Sequence, residues 1–84
     1  MSLSILNADY ISGYELSVEF GNHEKRYVNL TRTIFNDSGK TLEPLRNIDF
    51  FKRFSLNEDT ICWENDVDIA PEYLYEISYK MWLK

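Results

Sequence analysis

The sequence predicts an α+β domain: an antiparallel β meander of five to six short strands curled around a C-terminal helix, with one or two short helical turns in the connector. Three observations predict it. Tyr14, Leu16, Val18 and Phe20 alternate with Glu15, Ser17 and Glu19, the period of two expected of a half-buried antiparallel strand. Further short runs, bounded by turn residues, continue the meander on the far side of a connector rich in phenylalanine. From Pro71 the apolar spacing becomes helical. Eighty-four residues make one domain, residues 1–84, close to the size at which a chain struggles to fold without staples. Two tryptophans, six tyrosines and five phenylalanines offset this, since each ring can bury roughly 150–250 Å².

In chain order, residues 3–11 form a modestly apolar first strand that Gly13 breaks. The alternating strand Tyr14 to Phe20 follows, and Gly21-Asn22 supplies a turn, because both residues tolerate positive φ. The return strand runs from about Glu24 to Leu30. A three-residue loop puts Arg26, Val28 and Leu30 on the core face, whereas a two-residue loop puts Tyr27 there; the need to bury Val28 and Leu30 favours the first. Asn29 or Thr31 can cap a helical turn through Ile34-Phe35. Residues 36–40 are a loop by composition, and Leu42, Pro44 and Leu45 form a buried connector without regular structure. Asn47 caps one helical turn, Ile48 to Lys52, with Asp49 near its positive end. Phe50, Phe51 and Phe54 feed the core. Strands at Arg53 to Leu56, Thr60 to Glu64 and Val67 to Ile69 complete the meander, and Trp63 reads as its core anchor.

Pro71 suits the first position of a helix running to about Leu83. At 100° per residue, Tyr73, Leu74, Ile77 and Met81 share one stripe, the core face. Tyr75, Tyr79 and Trp82 form a second stripe roughly 145° away. That stripe either packs on a neighbouring element or is an exposed aromatic patch, which in a small domain marks a partner surface.

Charge and cysteine usage narrow the classes. The net charge of −5 argues against general nucleic-acid binding, whose affinity comes from neutralised phosphates. Residues 25–53 nevertheless hold seven bases against three acids, and residues 54–76 hold seven acids and no base. Lys25, Arg26, Arg32, Arg46, Lys52 and Arg53 are therefore a candidate basic face, set against an acidic side. Cys62 is the single cysteine, so the chain has no internal disulfide, which fits a reducing cytoplasm. No stretch approaches the roughly 18 apolar residues of a membrane span.

Four segments together resemble the small bacterial family known as domain of unknown function 2442. They are the strand and turn Tyr14 to Asn22, the step Val28-Asn29-Leu30-Thr31, the stretch Pro44 to Phe51, and the close from Trp63 through Asp68-Ile69-Ala70-Pro71 to Tyr75. The resemblance covers roughly residues 5–77. Two departures are visible: Asn65-Asp66 stands where the family usually has Asn-Gly, and Asn47 where it often has Asp. The resemblance implies a regulatory or protein-binding module. Some members are similar to modules fused to a helix-turn-helix domain, and others are encoded beside a small protein in arrangements that suggest toxin–antitoxin pairs. This chain has no room for the fused DNA-binding domain.

Specific chemistries find little footing. Gly39-Lys40-Thr41 resembles the end of a phosphate-binding loop, but the upstream glycine is absent and Pro44 blocks the helix that should follow. Glu64, Asp66 and Asp68 share a strand face, yet the calcium-loop pattern fails at Ile69 and Tyr75, and a solvated polar face explains the spacing. His23 sits in a turn, and zinc would find only Cys62 to join it. Cys62 itself, between Ile61 and Trp63, reads as a small buried thiol. The sequence thus points to a non-enzymatic interaction module without a cofactor or metal. Its partner is a protein or a second copy, met on Tyr75, Tyr79 and Trp82. An antitoxin-like or DNA-linked regulator acting through the basic segment is the alternative.

Overall fold

A computed structural model describes residues 3–36, 42–57, 59–64 and 67–80. Four strands, β1 (Ile5–Ser12), β2 (Glu15–Phe20), β3 (Lys25–Asn29) and β7 (Tyr79–Lys80), form one antiparallel sheet in the order β1-β2-β3-β7. Three shorter strands, β4 (Ser55–Asn57), β5 (Thr60–Cys62) and β6 (Asp68–Ile69), form a second, in the order β4-β5-β6. The helices are α1 (Thr31–Asn36), α2 (Ile48–Phe51) and α3 (Pro71–Ile77), with a 3₁₀ turn at Glu43–Arg46. The class is α+β, as the pattern predicts.

The alternation in β2 is the most direct link from sequence to fold. Leu16, Val18 and Phe20 are buried, and Glu15, Ser17 and Glu19 lie on the opposite face. A three-residue loop, Gly21-Asn22-His23, sets the register, pairing Glu19 with Lys25 and Leu16 with Val28. The Phe20 amide donates to the Glu24 carbonyl (2.9 Å) and the His23 amide to the Phe20 carbonyl (2.8 Å). The left-handed residue of the loop is His23 (φ 67°), not Gly21 or Asn22. This register buries Val28 and Leu30 and puts Arg26 on the core side.

Of the two candidate caps for α1, Asn29 acts: its side chain accepts from the Thr31 amide at 3.0 Å. The connector carries the 3₁₀ turn where irregular structure is expected, because Pro44 fixes its own φ and the Leu45 amide reaches the Leu42 carbonyl at 3.0 Å. Within it Leu45 is buried, Leu42 half-buried and Pro44 exposed. Asn47 caps α2 by accepting from the Phe50 amide at 3.2 Å. This turn delivers Phe51 into the core, where Tyr10 and Tyr14 meet its ring edge-on. Trp63 lies at 5.8 Å between centroids from Phe51 and donates its indole N–H to the Phe51 carbonyl at 2.9 Å. The buried indole thereby satisfies its only polar atom. Ile61 and Ile69, paired across β5 and β6, complete the core of the second sheet, which joins the first through the Ile5 amide and the Asp59 carbonyl (2.9 Å).

The closing helix departs from expectation. It ends at Ile77, not near Leu83, and Ser78 is extended (ψ 162°). Two interactions stop it. The Ser78 hydroxyl donates back to the Tyr75 carbonyl (2.6 Å), and Arg26 donates to both the Ser78 hydroxyl and its carbonyl. The chain then turns onto the edge of β3, where Tyr79 pairs with Tyr27 and Lys80 with Arg26. Tyr73, placed by angular counting on the core stripe, is instead 39 % exposed, its hydroxyl on Thr33. A helix of this length presents one fully buried side chain, Leu74, with Ile77 packed partly behind it. Met81 and Trp82 lie outside the described residues.

Candidate functional site

The two tyrosines of the expected aromatic stripe part company, because Ser78 separates a helix from a strand. Tyr75 turns inward. Its ring meets Phe20 edge-on at 5.1 Å, Arg26 stacks over it at 4.7 Å, and its hydroxyl donates to Glu24 at 2.9 Å. Arg26 also binds the Glu24 carboxylate. Glu24 is held below its ordinary pKa, chiefly by Arg26 and then by the Tyr75 hydroxyl, while its hydrogen bond raises the Tyr75 phenol. Tyr75 is thus half-buried within its own domain, tying α3 to the β2–β3 hairpin.

Tyr79 goes to the outer face of the four-stranded sheet. Cross-strand pairing sets Asp9, Ser17, Tyr27 and Tyr79 in one row across all four strands. The Tyr27 and Tyr79 rings lie 5.6 Å apart, and the Tyr79 hydroxyl donates to Glu15, which raises its phenol. Tyr79 remains 46 % exposed, on the edge strand of the sheet. An exposed tyrosine backed by the half-buried Tyr27, on a strand edge unpaired among the described residues, is what the two-residue strand β7 creates. Neither half of this arrangement was visible from helical spacing, although Ile77, Ser78 and Tyr79 are all mediocre helix formers, and that signal could have located the break.

The six bases do not share one face. Lys25 and Arg26 are neighbours on a strand and so project to opposite sides of the sheet. Arg26 and Arg46 are half-buried; Arg46 stacks on Phe35 at 5.2 Å and reaches the Ile34 carbonyl. Lys52 lies over Tyr10 at 5.4 Å. Lys25, Arg32 and Arg53 are exposed, on three different elements or their connections.

Between α1 and α3 runs a groove. Openings of 410 and 350 Å³ share Arg32, Thr33 and Tyr73; one ends at Asn29 and Ile77, the other at Asn36 and Leu42. Elsewhere the polar candidates are scattered. His23 is exposed, 3.4 Å from Glu19. Cys62 is half-buried rather than buried, with Sγ 3.5 Å from the Ser55 hydroxyl. Glu64 and Asp68 are exposed; Asp66 and the Gly39-Lys40-Thr41 segment lie outside the described residues. Among the described residues, three or more His, Cys, Asp or Glu side chains nowhere converge as a metal site would require.

The sequence profile of a family described as "Protein of unknown function (DUF2442)" matches residues 5–80. The chain belongs to this family. No curated protein and no solved structure shows a significant match. The matched range contains the core: Leu16, Val18, Phe20, Leu45, Phe51, Trp63, Ile69 and Leu74 are all buried. The match also spans Tyr27, Arg32 and Tyr79. No helix among the described residues is long and apolar enough to cross a membrane.

Proposed function

We propose that this chain is a non-enzymatic, cytoplasmic protein-interaction module with a regulatory role, and that it meets its partner, another protein or a second copy, on the Tyr27–Tyr79 face. One observation carries the reading: Tyr79 is exposed on an edge strand yet held in place by Tyr27 and Glu15. Tyrosines are enriched at interface centres because they bring a large contact area with few rotatable bonds. A ring already fixed loses little further entropy on docking. The edge beside it, unpaired among the described residues, offers backbone groups to the same partner. The strongest charge network, Glu24–Arg26–Tyr75, serves to join α3 to the hairpin, which also favours a structural and binding role over acid–base chemistry.

The alternative is an antitoxin-like or DNA-linked regulator acting through the middle segment. It draws on Lys25, Arg32 and Arg53, which the fold distributes rather than gathers.

The test is affinity purification of the tagged full chain from its own cells, with Tyr79→Ser compared against wild type. A stoichiometric companion, or self-association seen by sedimentation, is expected to weaken at least about tenfold in the variant, in the range of interface hot spots. The melting midpoint should move by only a few degrees. Equal retention by both proteins contradicts the reading.

A further inference from the structure

We propose that the sheet face carrying Tyr27 and Tyr79 takes a basic partner: an arginine-bearing segment of a different protein, whose guanidinium stacks on the tyrosine pair and bonds to Glu15 while a second base settles at Asp9. The inference rests on the Tyr27–Tyr79 interface proposed above and names what that interface recognises.

The molecule already makes this contact once, on its inner side. There the Tyr75 hydroxyl donates to Glu24, and Arg26 completes the pair by stacking over the ring at 4.7 Å and binding the same carboxylate. The outer face repeats the first half. The Tyr79 hydroxyl reaches across β3 to donate to Glu15, and the Tyr27 ring lies 5.6 Å away. Among the described residues no arginine or lysine pairs with Glu15. One hydroxyl donor leaves most of a carboxylate's acceptor sites, and its charge, for a cation. Arginine fits best, because its plane lies on an aromatic ring and its fork meets a carboxylate.

Charge complementarity over the rest of the face agrees. Cross-strand register puts Asp9, Glu15 and Glu19 on this side with one base, Lys25. Glu19 is met by Lys25 directly across the strands and by His23 at 3.4 Å, so Asp9 and Glu15 hold the surplus. Lys80 pairs with Arg26 and projects with it to the other side. Asp9 borders a depression of about 230 Å³, shared with Asn7, Ser17, Glu19 and Lys25, which can seat a second basic side chain. Every residue of that depression has described neighbours on both sides in the chain. The helices turn away from this face: Ile34, Phe51 and Leu74 join Leu16, Val18 and Val28 in the core on the opposite side. The same charge disfavours other occupants. A second copy pairing face to face about a twofold axis sets surplus carboxylates against each other. A nucleic acid brings phosphates to them.

The probe is a capped pentapeptide of alternating arginine and threonine, titrated into the isotopically labelled full chain and followed by amide chemical shifts. Shifts are expected at Glu15, Ser17, Tyr27 and Tyr79. Affinity should fall at least about tenfold when citrulline, the neutral isostere, replaces arginine in the peptide. It should fall as far in Glu15→Gln, which keeps an oxygen for the Tyr79 hydroxyl. Glu72→Gln, on the exposed surface of α3, should bind as wild type, which separates a site from general attraction to an acidic chain. The proposal is overturned if millimolar peptide produces no localised shifts, if the citrulline peptide binds equally well, or if Glu15→Gln binds no worse than Glu72→Gln. The interface itself is decided separately: a companion protein lost by Tyr79→Ser but retained by Glu15→Gln overturns the basic partner and leaves the interface standing.

Discussion

Trp63→Ala is expected to abolish cooperative folding. The indole is 3 % exposed, lies beside Phe51 and holds the Phe51 carbonyl at 2.9 Å. It is the piece that locks the second sheet onto α2. Emptying such a site costs about 3–5 kcal/mol. A domain of this length has roughly 4–13 kcal/mol in total, at about 0.05–0.15 kcal/mol per residue. The substitution therefore removes from about a quarter to all of the margin, and with it the lock between the second sheet and α2. Trp63→Phe keeps most of the ring volume but removes the N–H, leaving the Phe51 carbonyl without that donor, at a cost of about 1–3 kcal/mol. Denaturant titration separates the cases: Phe should give a lowered midpoint with an intact transition, Ala a broad or absent one. An alanine variant unfolding at the wild-type midpoint would show that the indole is not the anchor.

Arg26→Ala is expected to release the C-terminal strand without unfolding the domain. Arg26 holds the helix stop at Ser78 and stacks on Tyr75. The stacking contributes about 0.5–1 kcal/mol and the hydrogen bonds to Ser78 about as much again. The solvent-facing contact with Glu24 is screened and adds little. Amide exchange should quicken at Tyr79 and Lys80 while the core amides of β2 stay protected. The variant also predicts a pH signature. Glu24 has its carboxyl depressed below an ordinary value of 4.5, first by Arg26 and then by Tyr75. A group depressed in the folded state stabilises above its unfolded pKa, and that contribution is lost as the pH falls through the folded one. Wild type should therefore lose a component of stability on acidification below pH 4.5 that is reduced in Arg26→Ala, where only the Tyr75 and Asn22 hydrogen bonds still favour the carboxylate.

Where the sequence spoke through periodicity, it spoke clearly. The alternation of Leu16, Val18 and Phe20, the cap at Asn47 and the start of α3 at Pro71 are each local signals with a local cause. Register was legible too, because only a three-residue loop buries Val28 and Leu30. The end of α3 was not. Helical spacing continues through Tyr79 and Trp82, and no glycine marks a stop. Part of the stop is local, in Ser78 bonding back to Tyr75 and in the mediocre helix formers around it; the rest comes from Arg26, which is 52 residues away from Ser78 in the chain. A non-local contact of this kind leaves no trace in a window of neighbouring residues. The same contact explains the site: it sends Tyr75 inward and Tyr79 outward. The bases of the middle segment do not gather on one face for a related reason. Composition counts charges along the chain, whereas a strand sends neighbours such as Lys25 and Arg26 to opposite faces.

The most direct test of the interaction surface is photocrosslinking in living cells. A photoreactive phenylalanine analogue is placed at Tyr79 in one protein and, as a control, at the similarly exposed Leu56 in another. The Tyr27–Tyr79 interface predicts one discrete covalent adduct from position 79, with a partner or a second copy, and none from position 56. An absence of adduct at 79, or the same adducts from both positions, contradicts it.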